Sequence, residues 1–315
     1  MALGLTWVAY GVDLAIFHAL KSQTLKNTYV KSNDWLANWI PENVTFDVQT
    51  AFGAQIRVNK TDLLNRRIYY FGVWEPVLTS HLSRILQKGD IFIDIGANIG
   101  YFSLLASSLV GPDGEVIAIE PSPLIAMKML DNLRLNNCTN VKVIQVAASD
   151  RRGSLRILPG PRLNVGSTRT SYCESSEGKI VACLPLCDIL EGVHVDRIKA
   201  IKIDVEGAEM QVIAGLIPML NKFRTDVQIM TEVRPHQLVA NGTSFSKFIA
   251  PLLLHGFQPY YMDNRYEPEF YLNMQETNMI TPLKEFPEGI LGFDDPEWAR
   301  EEIFFDLLFS RTPVC

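Results

Sequence analysis

A glycine-containing turn stands between a short apolar run and a helical pattern near the end of the first third of the chain. The apolar run is residues 91–95, and the residues of the turn that could meet a ligand are Asp94, Gly96, Ala97, Asn98 and Gly100. Glycines let the backbone approach a ligand closely, and a helix N-terminus offers unpaired N–H groups and the positive end of its dipole. The turn therefore predicts a site for a nucleotide-like ligand.

Two features restrict the class of ligand that this turn could bind. The spacing Gly96-x-x-x-Gly100 differs from the Gly-x-Gly-x-x-Gly of dinucleotide sites, and the acid Asp94 suits a ligand with an ammonium group. Glu120 ends the next apolar run, where its carboxylate is placed to accept both hydrogen bonds of a ribose diol. S-adenosylmethionine combines an amino-acid end, a ribose and a sulfonium cation, so these residues predict an S-adenosylmethionine site.

Carboxylates also stand at the ends of two later apolar runs. Asp204 and Glu206 lie at the end of residues 201–205, and Glu232 ends residues 227–232. In an open α/β sheet the ligand lies beyond the carboxyl ends of the strands, near the point where the strand order reverses. Transfer of the methyl group of S-adenosylmethionine is an in-line displacement at the methyl carbon, and an acceptor that carries a proton must also lose it. Asp204, Glu206 and Glu232 are therefore candidate catalytic residues, and Asp204 is also a candidate cofactor contact.

The sequence leaves the identity of the general base open. It could be Asp204 with a raised pKa, or His236, which follows the run that ends in Glu232 and so belongs to the same edge of the sheet. Asp204 and Glu232 could instead hold Mg²⁺, a weaker hypothesis because no Asp-Asn pair follows that run. Glu75, upstream of the turn, either contacts cofactor or substrate or begins a helix near its dipole.

The elements that must position these residues alternate from residue 90 onward, as is typical of a parallel sheet. Predicted strands 1 to 7 are residues 91–95, 116–120, 141–146, 201–205, 227–232, 257–262 and 304–309, and the predicted helices between them are residues 102–109, 124–135, 209–220 and 245–255. The last run is ambiguous between helix and strand by periodicity, and we interpret it as a strand. Further strands are expected at 155–158 and 180–184, and Ala148, after predicted strand 3, is the expected adenine contact.

Three blocks, in their order and spacing, resemble the FkbM family of S-adenosylmethionine-dependent methyltransferases. They are Gly72–Pro76, Gly89–Ser103 and Ile201–Glu209, and the resemblance covers about residues 69–262. It implies a Rossmann-like class I methyltransferase fold of the α/β class, with a seven-stranded, mostly parallel sheet of order 3-2-1-4-5-7-6, strand 7 antiparallel and helices on both faces. By family analogy it also implies O-methylation, here of a hydroxyl on a small molecule or sugar.

The chain divides into four predicted parts. They are an N-terminal helical and hairpin cap (1–68), the S-adenosylmethionine-binding core (69–262), an acidic aromatic insertion (263–303) and the last strand with the C-terminus (304–315). The insertion carries most of the acidity, since residues 263–302 hold eleven acidic and three basic residues while the whole chain has a net charge of −6. This segment is either a wall beside the acceptor pocket or a solvated appendage.

Charge and cysteine content exclude several classes of protein. The net charge of −6 provides no basic field for nucleic acid. Five sparse cysteines predict no disulfide framework and fit a reducing, cytoplasmic compartment. The apolar residues 1–20 are interrupted by Asp13 and His18, which favours an amphipathic helix over stable membrane insertion. The pattern does not indicate an oligomeric state.

Two other functions compete with a methyltransferase. An NAD-dependent oxidoreductase also needs a strand–glycine–helix turn and a ribose acid, but the Gly-x-Gly-x-x-Gly spacing is missing. A non-catalytic relative would keep the S-adenosylmethionine pocket without turnover, and the presence of Asp204, Glu206 and Glu232 argues against it.

Overall fold

The computed structural model describes residues 13–36, 44–158, 169–171, 178–240, 242–274, 279–283 and 304–314. The helices in these ranges are α1 (residues 13–19), α2 (Gln23–Leu36), α3 (Leu63–Phe71), α4 (Pro76–Ile85), α5 (Tyr101–Val110), α6 (Pro123–Leu135), α7 (Leu186–Ile189), α8 (Glu209–Leu216), α9 (Pro235–Ala240), α10 (Phe245–Leu254) and α11 (Pro268–Asn273). The strands are β1 (Thr45–Gln49), β2 (Gln55–Asn59), β3 (Ile91–Ile95), β4 (Glu115–Ile119), β5 (Val141–Ile144), β6 (Ala147–Ser149), β7 (Gly153–Leu158), β8 (Arg169–Ser171), β9 (Lys179–Pro185), β10 (Ile198–Ile203), β11 (Gln228–Val233), β12 (Gln258–Met262), β13 (Ile280–Pro282) and β14 (Phe305–Ser310).

A mixed sheet of order β13-β12-β14-β11-β10-β3-β4-β5 organises the fold. Strands β3, β4, β5, β10 and β11 are parallel, and β14 runs antiparallel to both β11 and β12. The predicted order 3-2-1-4-5-7-6 is therefore present, and the ambiguous last run is a strand. The expectation of seven strands is corrected to eight among the described residues, because β13 pairs with β12 and covers backbone groups that an edge strand would leave open.

The described residues also form two smaller sheets. The additional strands expected after residue 150 belong to a sheet of order β6-β9-β7-β8, and β1 pairs with β2 as an antiparallel hairpin. The predicted helix 209–220 is shorter than expected: α8 ends at Leu216, and a 3₁₀ turn over Ile217–Lys222 follows. Pro218 within this turn lacks the N–H that a continuing α-helix would need.

The sheet separates two apolar cores. Along β3, Phe92 packs into the core on one face while Ile91, Ile93 and Ile95 pack into the other, as the two-residue period of a strand requires. The N-terminal elements share the first core through residues such as Phe17, Ile56 and Tyr70. The four domain boundaries remain predictions.

Residues 1–12, which are twelve of the twenty residues of the predicted N-terminal amphipathic helix, lie outside the described residues. The part that follows is helical, and its Phe17 is buried against the rings of Tyr70 and Phe71. Among the residues described, no helix combines the length and apolar character needed to span a bilayer.

Candidate functional site

A cavity of about 240 Å³ opens where the carboxyl ends of β3, β4, β10 and β11 meet. Most of the predicted site residues line it, namely Glu75, Gly96, Asn98, Glu120, Ala148, Asp204, Glu206 and Glu232. Residues that were not predicted as site residues complete the wall, among them Leu63, Leu64, Trp74, Ile157, Arg234, Tyr266 and Phe304. The sheet topology thus brings together side chains that lie far apart in the sequence.

Four of the predicted residues are not among those that line this cavity. Asp94 is fully buried and accepts a hydrogen bond from the Ser103 hydroxyl (2.6 Å), so the structure places it behind the wall. Ala97 is also buried and its N–H donates to the Ile119 carbonyl. Gly100 precedes α5, and His236 lies on α9.

Gly96 connects the ends of β3 and β10. Its φ is +75°, and an added Cβ would lie 1.7 Å from the backbone carbonyl oxygen of Asp204. The Asp204 N–H also donates to the Ile95 carbonyl (3.0 Å), which holds the two strand ends together. Only glycine fits such an approach, and it leaves the backbone of the turn open to the cavity.

The Glu120 carboxylate is fixed by the backbone around it. One carboxylate oxygen accepts the Asn98 N–H (3.1 Å) and the other accepts the Ser122 N–H (2.8 Å). Burial raises the pKa of Glu120 to about 7, and the two backbone hydrogen bonds act against that rise. Each oxygen keeps a further acceptor position, which is what a pair of vicinal hydroxyls would use.

Backbone strain is concentrated at the cavity. Among the described residues, the non-glycine residues with positive φ are Glu75 (40°), Asn98 (51°), Glu206 (52°) and Asn137, and the first three line the cavity. Such conformations cost free energy and persist where the surrounding structure enforces them, often at functional sites. Glu75 is also the residue before α4, which begins at Pro76, as one interpretation expected, and its contact with cofactor or substrate stays a prediction.

Two cations lie among the carboxylates. The Lys202 ammonium is 3.2 Å from an Asp204 oxygen and 3.9 Å from an Asp94 oxygen. The Arg234 guanidinium is 2.6 Å from Glu232 and 3.1 Å from Glu206. Both cations therefore compensate charges within the wall.

Burial gives the carboxyl groups of the cavity unusual proton affinities. It raises the pKa of Glu75 to about 8 and that of Glu206 to about 8, with the charge of Asp204 acting in the same direction. Burial also raises the pKa of Glu232, against the effect of Arg234. A bound cation would favour the ionised forms of these carboxyl groups.

The free protein is expected to lose thermal stability as the pH rises from about 6.5 to about 8.5. The pKa values of Glu75, Glu120, Glu206 and Glu209 are raised to about 8, 7, 8 and 7, so the folded state binds more protons than the unfolded state in this window. Stability gained below the unfolded-state pKa is lost as the pH rises through the folded-state pKa. The window starts at the ordinary pKa of His81, 6.5, because its lowered pKa acts oppositely below that value.

Melting temperatures at constant ionic strength test this expectation, and Glu209→Gln should flatten the slope because it removes one titrating group. A melting temperature that is constant or rises across the window would contradict it.

The cavity also contains a ring stack that was not predicted from the sequence. Tyr266 lies between Trp74, with ring centroids 4.8 Å apart, and Phe304, at 5.1 Å, and all three rings line the cavity. The only sequence signal was the aromatic content of the predicted insertion. The sequence signal for Arg234 was clearer. Residues two positions apart in a strand have side chains on the same face, so Arg234 could have been placed beside Glu232.

A resident metal ion has no obvious ligand set here. In the described ranges, no three His, Cys, Asp or Glu side chains are grouped so that they could hold one. The hypothesis that Asp204 and Glu232 hold Mg²⁺ therefore receives no support from the geometry.

Comparison with known proteins gives a family and several relatives. The protein-family model for the methyltransferase FkbM domain matches residues 94–259. The methyltransferase sdnD of Sordaria araneosa is 29% identical over 46% of this chain and 68% of its own length. The 31-O-demethyl-FK506 methyltransferase FkbM of Streptomyces tacrolimicus is 29% identical over 42% and 61%. The hexuronic acid methyltransferase AglP of Haloferax volcanii is 24% identical over 41% and 51%, so the matches span half to two thirds of these relatives.

Proposed function

We propose that this chain, which belongs to the FkbM family of S-adenosylmethionine-dependent methyltransferases, methylates a hydroxyl group. The acceptor that we propose is a small molecule or sugar. The observation that carries the proposal is the meeting of the Gly96 turn, the Glu120 carboxylate and the carboxylates of β10 and β11 at one cavity. The names of two relatives, which give 31-O-demethyl-FK506 and a hexuronic acid as what they methylate, support an acceptor of this kind. The alternative of an NAD-dependent oxidoreductase is wrong for this family.

The residues that line the cavity support an arrangement of the cofactor in which each part meets the side chain or backbone predicted for it. Glu120 would accept hydrogen bonds from the ribose, Ala148 would contact the adenine, and the open backbone at Gly96 would allow close approach. The carboxylates of Glu75 and Asp204 would favour the cationic end. When bound, S-adenosylmethionine supplies a methyl group activated by its sulfonium.

Glu206 is the residue that we propose as the general base. Its pKa of about 8 lies in the range in which a base accepts a proton near neutral pH. Both Asp204 and Glu206 face a cation, but Asp204 accepts a hydrogen bond from Lys202, whereas the Glu206 oxygen 3.1 Å from Arg234 has no hydrogen-bond partner among the described residues. Glu232 is engaged by Arg234 at 2.6 Å and has less freedom to turn toward an acceptor. His236 is not among the residues that line the cavity, so it has no part in this proposal.

Glu120→Gln is expected to weaken S-adenosylmethionine binding by about 10- to 100-fold, because two charge-assisted hydrogen bonds to the ribose are lost. Isothermal titration calorimetry measures the affinity, and Glu115→Gln at the other end of β4 is the matched control. Transfer of a labelled methyl group to a panel of hydroxyl compounds then tests the activity.

Failure of the wild-type protein to bind at millimolar S-adenosylmethionine would overturn the proposal. Tight binding without transfer to any hydroxyl would favour the non-catalytic relative instead.

A further inference from the structure

Tyr266 is the one residue of the predicted insertion whose hydroxyl group is found among the carboxylates of the cavity in the described structure. Its oxygen lies 3.2 Å from Glu75 Oε1 and 3.4 Å from Glu232 Oε2. The ring cannot easily turn away, because it is stacked within 5° of the plane of Trp74 and within 17° of the plane of Phe304. The hydroxyl is therefore aimed at the two carboxylates by packing.

The backbone of Tyr266 is held from the N-terminal side of the molecule. Arg67 Nε donates to the Tyr266 carbonyl oxygen at 2.7 Å, and the same guanidinium forms two hydrogen bonds with Asp34 of α2. Further along, Glu269 of α11 bonds to Asn27 and Lys31 of α2. A segment outside the methyltransferase core thus fixes one side chain inside the site.

A phenol has a single hydrogen, so it can donate to only one of the two carboxylates at a time. Burial raises the pKa of Tyr266 well above its ordinary value, which keeps the phenol protonated. Its hydrogen bond acts to lower the pKa of Glu75 and of Glu232, against the larger effect of burial. The donor therefore favours one ionised carboxylate in the pair.

Other charged groups also act on this pair. On the surrounding elements, Lys202 lies on β10, and Asp204 and Glu206 follow that strand. Arg234 follows β11, and Asp306 lies on β14. Burial lowers the pKa of Lys202, but the carboxylates around it outweigh that effect and keep it charged. Lys202 and Arg234 balance part of the negative charge. The Tyr266 hydroxyl is neutral and stabilises a further negative charge by donating a hydrogen bond.

We propose that Tyr266 is a positioning residue of the cofactor site, whose hydroxyl holds one negative charge on the Glu75–Glu232 pair for the sulfonium of S-adenosylmethionine. The inference rests on the proposed function. It predicts discrimination between two ligands of nearly the same shape, because S-adenosylhomocysteine has the same amino-acid and nucleoside parts but lacks the sulfonium charge.

The test compares, by calorimetry, the affinities of the 315-residue chain for S-adenosylmethionine and S-adenosylhomocysteine between pH 6 and pH 9. Tyr266→Phe keeps the ring stack and is expected to lower the ratio of the two affinities at pH 7 by about 3- to 10-fold. The pH at which S-adenosylmethionine binding strengthens should move up by about 0.5 to 1 unit. Tyr261→Phe is the matched control, since its hydroxyl bonds to Asp263 (3.3 Å) and does not line the cavity.

Equal weakening of both ligands at every pH would assign Tyr266 a purely structural role and overturn the inference. If Tyr266→Phe does not fold, Glu75→Gln provides the same comparison of the two ligands, with the same expected fall in the ratio. A wild-type protein that binds neither ligand would instead overturn the proposed function, and this inference with it.

Discussion

Gly96→Ala is expected to reduce S-adenosylmethionine affinity by at least about 100-fold, because a displacement of this turn misplaces every ligand contact built on it. The added Cβ would lie 1.7 Å from the Asp204 carbonyl oxygen, which is backbone and cannot rotate away. The end of β3 or of β10 must therefore move. The φ of +75° adds strain of about 1 to 2 kcal/mol, so the melting temperature should also fall by several degrees.

Gly192→Ala separates the two contributions. Its φ of +80° is similar, but an added Cβ would meet no atom within 4 Å, so it has the backbone strain without the collision. We expect Gly192→Ala to lower stability modestly and to leave S-adenosylmethionine affinity unchanged. Calorimetry and thermal melting of both variants provide the measurements. Near-normal binding by Gly96→Ala would show that the close contact between the β3 turn and Asp204 is not needed for the site.

The sequence was sufficient for features that depend on short-range pattern. The alternation of apolar runs and helical patterns predicted the seven strands of the core, and β3 occupies the predicted residues 91–95. The position of Glu120 just after β4 followed from the same pattern, since a strand that ends at the sheet edge presents its next side chain there. Such residues could be assigned to one edge without knowing any tertiary contact.

Features that depend on packing between distant segments were not predictable in this way. Asp94, which was predicted as a cofactor contact, lies on the same face of β3 as Phe92, and its burial and its position opposite Lys202 in the sheet register depend on the assembled sheet. Tyr266 belongs to a segment without family resemblance, and its place in the cavity depends on Arg67, about 200 residues earlier. The additional strand β13 likewise depends on an edge that only the assembled sheet creates.

Removal of the proposed general base, Glu206, is expected to have the second large effect, on the catalytic rate. Glu206→Gln is expected to lower kcat by about 100- to 10,000-fold, the range typical for loss of a general base. Affinity for S-adenosylmethionine should change little at pH 7, because a carboxyl with a pKa of about 8 is mostly protonated in the free protein and an amide has its shape and charge. Since a base acts unprotonated, the wild-type kcat should rise with pH and then level off at or below about pH 8, because the bound cation favours the ionised carboxylate. The residual kcat of Glu206→Gln should lack this rise.

Two further variants decide between Glu206 and its neighbours. His236→Gln changes a group at the same sheet edge that does not line the cavity, so it should retain wild-type kcat and the same pH dependence. Glu232→Gln removes the partner of Arg234 at 2.6 Å, and the freed guanidinium would still pair with Glu206. That pairing lowers the pKa of Glu206, so the rate should rise at a lower pH while the plateau is largely kept. A plateau lost in Glu232→Gln but kept in Glu206→Gln would identify Glu232 as the base, because only the group that accepts the proton is indispensable at every pH.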